Sequence, residues 1–270
     1  MTSTYIDETT DFWLRFSHDD LAQTAAVIHK ERRTFDEKSG YFEVMGARKL
    51  LANAYVNGYG VEVGAGNRPF PVPNGARVNY GDIRDAKTLE LHFADQNVLY
   101  DGEINAETFS IIPLESLDFI ISAHVIEHLH NPFGSIREGL RRLKDGGTYV
   151  LIIPDMRYTT DRARPLTSFD HLLEDMKDGG KASLLHSYIE HCKYVHPLSQ
   201  PPFDPDELLT AATSGLEHSV DIHVHTWTKE SFMDHLSILK DQFGFEIIFC
   251  SAIQNEAAFI LKKIPAESEE

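Results

Sequence analysis

Val61-Glu62-Val63-Gly64-Ala65-Gly66-Asn67-Arg68-Pro69-Phe70 reads as a short apolar strand that runs straight into a glycine-bearing turn. Val61 and Val63 are β-branched and follow Gly58 and Gly60, the pattern of a buried parallel strand. Gly64 and Gly66 let the backbone turn tightly and come close to a ligand. Two kinds of nucleotide-like ligand use such a turn. A pyrophosphate site requires G-x-G-x-x-G and a helix N-terminus aimed at phosphate, whereas this chain has only G-x-G, then Asn67 and a proline. Glu62, an acid inside the strand, is poor chemistry for a dianion and suits a ligand with a cationic amino group.

Downstream of the turn, the segment from Ala76 to Ile83 predicts a second strand ending in Asp82, about twenty residues beyond Glu62. An acid at that place accepts hydrogen bonds from the two hydroxyls of a ribose, and Ile83 follows it at the strand end. A third strand is expected over Asn97 to Tyr100, ending at Asp101-Gly102. There the acid can accept from an adenine amino group and the glycine leaves room for the ring; an ordinary Asp-Gly turn is the equal alternative. Leu117 to His124 predicts a fourth, buried strand, with Val125-Ile126-Glu127-His128 turning off its carboxyl end, where ligands of parallel sheets sit. Asn131 and Pro132 then open a helix with Phe133, Ile136, Leu140 and Leu143 as its apolar stripe and Gly146 as its close, before a strand over Thr148 to Pro154. Near the end, Thr228 caps a helix carrying Phe232, Leu236 and Leu239, and strands over Phe245 to Cys250 and Ala257 to Lys262 are joined too closely to be anything but antiparallel.

The run apolar-Glu-apolar-Gly-x-Gly, Asp82, D-F-I-I-S-A-H-V-I-E-H-L and L-K-D-G-G-T-Y-V-L-I-I-P together resemble the motifs of the class I S-adenosylmethionine-dependent methyltransferases over roughly residues 58 to 155. That resemblance implies an α/β, Rossmann-like three-layer sandwich: a seven-stranded, mostly parallel sheet closed by a C-terminal antiparallel hairpin, with N-terminal helices and a long insertion added. It implies S-adenosylmethionine as cofactor, held by Glu62, Gly64, Ala65, Gly66, Asn67, Asp82, Ile83, Asp101, Gly102 and His124. Residues 155 to 173 and Asp221-Ile222-His223-Val224-His225-Thr226-Trp227 resemble a group of bacterial methyltransferases found with glycosyltransferases in surface-polysaccharide biosynthesis. This second resemblance implies methyl transfer to oxygen of a saccharide or glycosylated acceptor, with a glycosyltransferase as partner.

Composition is consistent with one embellished domain. Of 270 residues, 42% are hydrophobic and 25% charged, and the formal net charge of -17 disfavours a nucleic-acid backbone as partner. Two cysteines, Cys192 and Cys250, make neither a disulfide framework nor a zinc site, so a reducing cytoplasm is the expected compartment. The polar stretch from Met1 to Asp11 shows no signal peptide, and no apolar run is long enough to span a bilayer. We expect residues 1–56 to form a helical cover or lid, with Leu21, Ala25 and Ile28 on one face of a helix capped by Ser17. Residues 57–155 and 228–264 are expected to form the core, and residues 156–227 a substrate-specificity insertion.

The candidate proton acceptors are His124, His128, His223 and His225. Asp221, His223 and His225 spell D-x-H-x-H along an extended segment, with both rings expected on one side; a divalent metal, an acid–base pair and a structural role all remain open, and no metal is assigned. His186, His191 and His196 lie about five residues apart and match no metal spacing. Asp155, Arg157, Arg162 and Arg164 are candidates for the acceptor site, the arginines for a carboxylate or phosphate. Two rival readings share the glycine turn: a cofactor-binding module without catalysis that docks on a glycosyltransferase, and an NAD-dependent oxidoreductase. The missing third glycine, Glu62 and the terminal hairpin disfavour the oxidoreductase.

Overall fold

A computed structural model describes residues 41–265; the expected Ser17-capped helix lies outside them. Helix α1 (Tyr41–Tyr55) leads into β1 (Tyr59–Val63), followed by β2 (Arg77–Asp82), α2 (Ala86–Phe93), β3 (Gly102–Glu103), β4 (Leu117–Ala123), α3 (Pro132–Arg142) and β5 (Leu143–Pro154). The excursion carries α4 (Phe169–Asp178), α5 (Leu184–Glu190) and α6 (Pro205–Glu217), and the chain closes with α7 (Lys229–Phe243), β6 (Phe245–Ile253) and β7 (Glu256–Lys263).

The seven strands lie in the order β3-β2-β1-β4-β5-β7-β6. All pairs from β3 to β5 are parallel, and β7 runs antiparallel to both β5 and β6. The expected mostly parallel sheet with a terminal hairpin is therefore the observed one. Strand β1, where the glycine turn begins, sits at the switch between β2 and β4, the place where open α/β sheets form a crevice at their carboxyl ends.

Strand periodicity sorts the core into two layers. Tyr149, Leu151 and Ile153 of β5 and Ala257, Phe259 and Leu261 of β7 face α3 and α7, whose Phe133, Ile136, Leu140, Phe232, Leu236 and Leu239 are buried. Val150, Ile152, Ala258 and Ile260 face the other way, onto Leu51, Ala52 and Tyr55 of α1. The helices start as expected: Asn131 accepts from Gly134 N with Pro132 at the first position, and Thr228 with Ser231 forms a capping box.

Two local expectations are corrected. Helix α3 ends at Arg142, because Leu143 already pairs with Leu117 as the start of β5; Gly146, with φ +76, lies inside that strand and does not close the helix. The third strand is Gly102–Glu103 and not Asn97 to Tyr100. Asp95 accepts from Asn97 N, and Leu99 N donates to Gly66 O, so that segment is tied to the glycine turn while Asp101 N reaches Tyr80 O of β2.

The excursion has its own small core of Tyr188, Cys192, Ala212, Ile222 and Val224. Among the described residues no helix is long and apolar enough to cross a membrane.

Candidate active site

The glycine turn is built by backbone geometry. Gly64 (φ +69) and Gly66 (φ +54) occupy the left-handed region that only glycine enters readily, and Gly64 N donates to Gly81 O of β2. A side chain at Gly64 would meet Val125 at 2.5 Å, and one at Gly66 would meet the ring of Phe93 at 2.5 Å. Glu62 is fully buried behind the turn and both of its oxygens accept from Phe70 N, at 2.9 and 3.0 Å. It therefore fixes the far end of the loop through the backbone.

Burial pushes the Glu62 carboxyl up to about 8, against the opposing effects of the Phe70 N–H and the Arg48 charge. Arg48 of α1 and Tyr80 of β2 are the titratable neighbours that face it. Since the folded value lies above the ordinary 4.5, the native state holds a proton that the unfolded chain loses between those values. That stability is complete below about 4.5 and is lost as pH rises through about 8. The neutral Glu62→Gln variant keeps an acceptor for Phe70 N without this dependence. The melting-temperature advantage of wild type over Glu62→Gln should therefore shrink by about 1 kcal/mol per pH unit, or roughly 2–4 °C, between pH 5 and 8; parallel curves would show that Glu62 titrates normally.

At the end of β2, Asp82 accepts from Arg84 N, and Ile83 stands 62% exposed beside it. Asp101 is exposed, but one of its oxygens accepts from Tyr80 N, and the space above Gly102 is open. Asn67 donates to Asp95, which braces the turn against the loop that follows α2.

The candidate histidines separate into three environments. His124, at φ +55 on the end of β4, has Nε2 2.8 Å from Glu256 Oε1 and Nδ1 3.5 Å from Glu127 Oε1. Burial works against its charge, but Glu127 and Glu256 outweigh it and raise the imidazole to about 9. Nε2 is engaged by Glu256 and Nδ1 faces Glu127, so His124 is held between two carboxylates and is a poorer candidate for proton acceptor than expected. Glu256 is itself held by Arg48 at both oxygens, a link across 208 positions of sequence.

His225 is the second correction. It is 1% exposed, stacked on Trp227, and pushed by burial down to about 3. Its nearest acid is Asp175, 3.7 Å away, within a buried group that includes His171. Residues 221–225 form no regular strand: Val224 N and His225 N both donate to Glu127 O, which bends the chain and turns the rings of His223 and His225 to different places. The D-x-H-x-H stretch is therefore not one site.

His128 and His223 do come together. Their rings meet edge to face at 4.8 Å. His128 Nδ1 lies 2.9 Å from both Ile222 O and Asp221 Oδ1, while His223 Nδ1 lies 2.6 Å from Asp161 Oδ2. Each Nδ1 thus faces an oxygen and leaves Nε2 without a hydrogen bond among the described residues; burial works against charge on His128, but Asp221 and Glu127 outweigh it and raise its imidazole pKa. The hydrogen bond from His128 is the main reason that Asp221 is drawn down to about 2. Asp161, despite burial, also falls to about 2 because His223 and Arg164 face it. Glu127 lies below both rings, fully buried, with Oε1 3.9 Å from His128 Nε2. Arg84 Nη2 reaches Asp221 at 3.1 Å, so this cluster is clamped to the strand end that carries Asp82.

Two of the arginines expected at the acceptor site have structural work instead. Arg164 is buried and spends its guanidinium on Asp161, Glu190, His223 O and Val224 O. Arg157 is bound by Asp155 and Glu230, and Asp155 is further occupied by Arg157 N and Lys229 N. Arg162 is exposed and pairs with none of the described residues. His186 faces Glu190 and His196 stacks on Phe203, so with His191 they form no cluster. Sequence reasoning passed over Glu127 and Asp161 as functional residues. An acid inside the apolar Val125-Ile126-Glu127 turn was a visible signal for the first, whereas nothing local marked the second.

Residues 61–151 match the profile of a family described as methyltransferase domain. No curated protein matches the chain. Among solved structures, a SAM-dependent methyltransferase from Thermotoga maritima superposes with a TM-score of 0.48 at 18% identity, covering 89% of this chain and 97% of that one. A Rhodobacter sphaeroides chain named for Zn-dependent alcohol dehydrogenases gives 0.48 at 14% identity, covering 82% and 90%. The CurJ carbon methyltransferase gives 0.46 at 14% identity over 82% of this chain, which spans only 54% of that structure. None of these likenesses bears on the acceptor.

Proposed function

We propose that this chain, whose residues 61–151 match a methyltransferase-domain profile, transfers the methyl group of S-adenosylmethionine to a hydroxyl oxygen of a saccharide or glycosylated acceptor. The observation that carries this reading is the pair of aspartate–histidine dyads, Asp221–His128 and Asp161–His223, converging on Glu127 at the end of β4. A sulfonium methyl is already activated and needs alignment, whereas an alcohol becomes a good nucleophile only as its proton leaves. A dyad in which a carboxylate takes Nδ1–H makes Nε2 a stronger base.

In this reading Gly64, Ala65, Gly66 and Asn67 hold the amino-acid end of the cofactor, Asp82 the ribose hydroxyls, and Ile83, Asp101 and Gly102 the adenine. Glu62 acts by fixing the turn. Val125 packs against Gly64, which sets the turn that carries Glu127 and His128 beside the methyl donor. The acceptor oxygen attacks the methyl carbon in line with the carbon–sulfur bond, whose electron pair returns to sulfur, and the hydroxyl proton goes to Nε2 of His128 or His223. Residues 156–227 form the acceptor side, with Arg162 available to an anionic group. The saccharide class and a glycosyltransferase partner rest on the sequence resemblance of residues 155–173 and 221–227, and the cytoplasm on the two unpaired cysteines.

The test is incubation with methyl-labelled S-adenosylmethionine and a panel of oligosaccharides, with catechols and amines as competitors. Label recovered as a sugar O-methyl group, in step with S-adenosylhomocysteine release, is the expected result; label on nitrogen, carbon or only an aromatic hydroxyl would refute the acceptor assignment.

A further inference from the structure

Glu127 is a buried carboxylate whose two oxygens make no hydrogen bond among the described residues. Among the described residues its nearest cationic neighbour is His124, at 3.5 Å and already engaged at Nε2 by Glu256, with His128 next at 3.9 Å. An acid in that position needs a positive partner on its remaining side. That side is filled by His128 and His223, whose ligand atoms and those of Glu127 all lie within 4.8 Å of one another.

The outer contacts have the form that histidine ligands of metals take. His128 gives Nδ1–H to Asp221 and Ile222 O, and His223 gives Nδ1–H to Asp161. Such partners fix the tautomer and aim Nε2 inward. Both rings remain partly exposed while Glu127 is covered, so the group is closed on the Glu127 side and is reached from solvent past the two imidazoles. We propose that Glu127, His128 and His223 hold a divalent first-row transition ion, of the Zn²⁺ class, with its fourth position open to the acceptor. Two imidazoles and one carboxylate leaving an open position is the donor set of catalytic zinc and of related divalent ions. Ligand atoms around such an ion stand about 3.3 Å apart, so the group, within 4.8 Å overall and 3.9 Å between Glu127 and His128, has to close by side-chain rotation on binding. His171, Asp175 and His225 also lie close together, but His225 is sealed against Trp227 and no open position faces solvent there.

This inference does not depend on the acceptor's identity: an ion held at Nε2 of His128 and His223 would replace them as proton acceptors by lowering the pKa of a bound acceptor hydroxyl, and failure of the inference leaves their lone pairs available for the transfer proposed above. The full chain, stripped with a chelator, is titrated calorimetrically with Zn²⁺, and Co²⁺ is added separately to read coordination from its visible bands. One equivalent of Zn²⁺ with micromolar or tighter affinity is expected. His223→Ala and the near-isosteric Glu127→Gln should weaken binding at least about 100-fold, and Asp161→Asn about 10- to 100-fold. Unchanged affinity for S-adenosylhomocysteine reports that each variant is folded, and His186→Ala on exposed α5 should bind Zn²⁺ as wild type does. Absence of binding by wild type, or binding that survives His223→Ala and Glu127→Gln, including binding lost instead in His225→Ala, overturns the proposal.

Discussion

Gly64→Ala should lower affinity for S-adenosylhomocysteine by at least about 100-fold. Gly64 holds φ +69, where an alanine is strained by about 1–2 kcal/mol. The added Cβ would also lie 2.5 Å from Val125 Cγ2, and a β-branched valine has little rotamer freedom with which to yield. Relief of that overlap costs a further 1–3 kcal/mol or so, and the sum reaches the 2.7 kcal/mol that corresponds to 100-fold. The displacement falls where it does most harm, because the turn carrying Glu127 and His128 follows directly from Val125. Gly75→Ala is the matched control: a Cβ there meets nothing within 4 Å, and its affinity should stay within about twofold of wild type. Calorimetric titration of the two variants separates a steric role of Gly64 from a general intolerance of the loops.

Glu127→Gln and His223→Ala should each reduce kcat by about 10²- to 10⁴-fold, the range for losing a proton acceptor, while affinity for S-adenosylhomocysteine changes less than about twofold. Such a split places the loss in the chemical step and not in donor binding. His223 is partly exposed, its Nδ1 is committed to Asp161, and Nε2 is left for the acceptor. Glu127 supplies negative charge beneath the rings and, at its backbone carbonyl, accepts from Val224 N and His225 N. Glu127→Gln removes the charge while keeping that backbone link, so a folded, donor-binding and slow enzyme is the expected product. Unchanged turnover in both variants would mean that alignment alone drives transfer.

Much of the framework could be read directly. Alternation of Val61 and Val63, the glycines at 64 and 66, and the short link between the last two strands gave the first strand, its turn and the hairpin because each depends on neighbouring residues alone. Asn131 and Thr228 marked helix starts for the same reason. The failures came where tertiary contacts overrode local pattern. His223 and His225 were placed on one side by assuming an extended chain, but two backbone N–H groups converging on Glu127 O bend it. His124 looked like a base at a strand end until Glu256, 132 positions away, took its Nε2. Arg164 looked like an anion binder and is instead buried as the brace of Asp161 and the 223–224 carbonyls. No spacing in the sequence announces such partners.

The most direct measurement is calorimetric titration of the purified chain with S-adenosylhomocysteine and, separately, with NAD. The glycine turn, Glu62 and Asp82 as arranged here predict micromolar binding of the first and none of the second. Binding of NAD with no affinity for S-adenosylhomocysteine would contradict the account from its first strand onward.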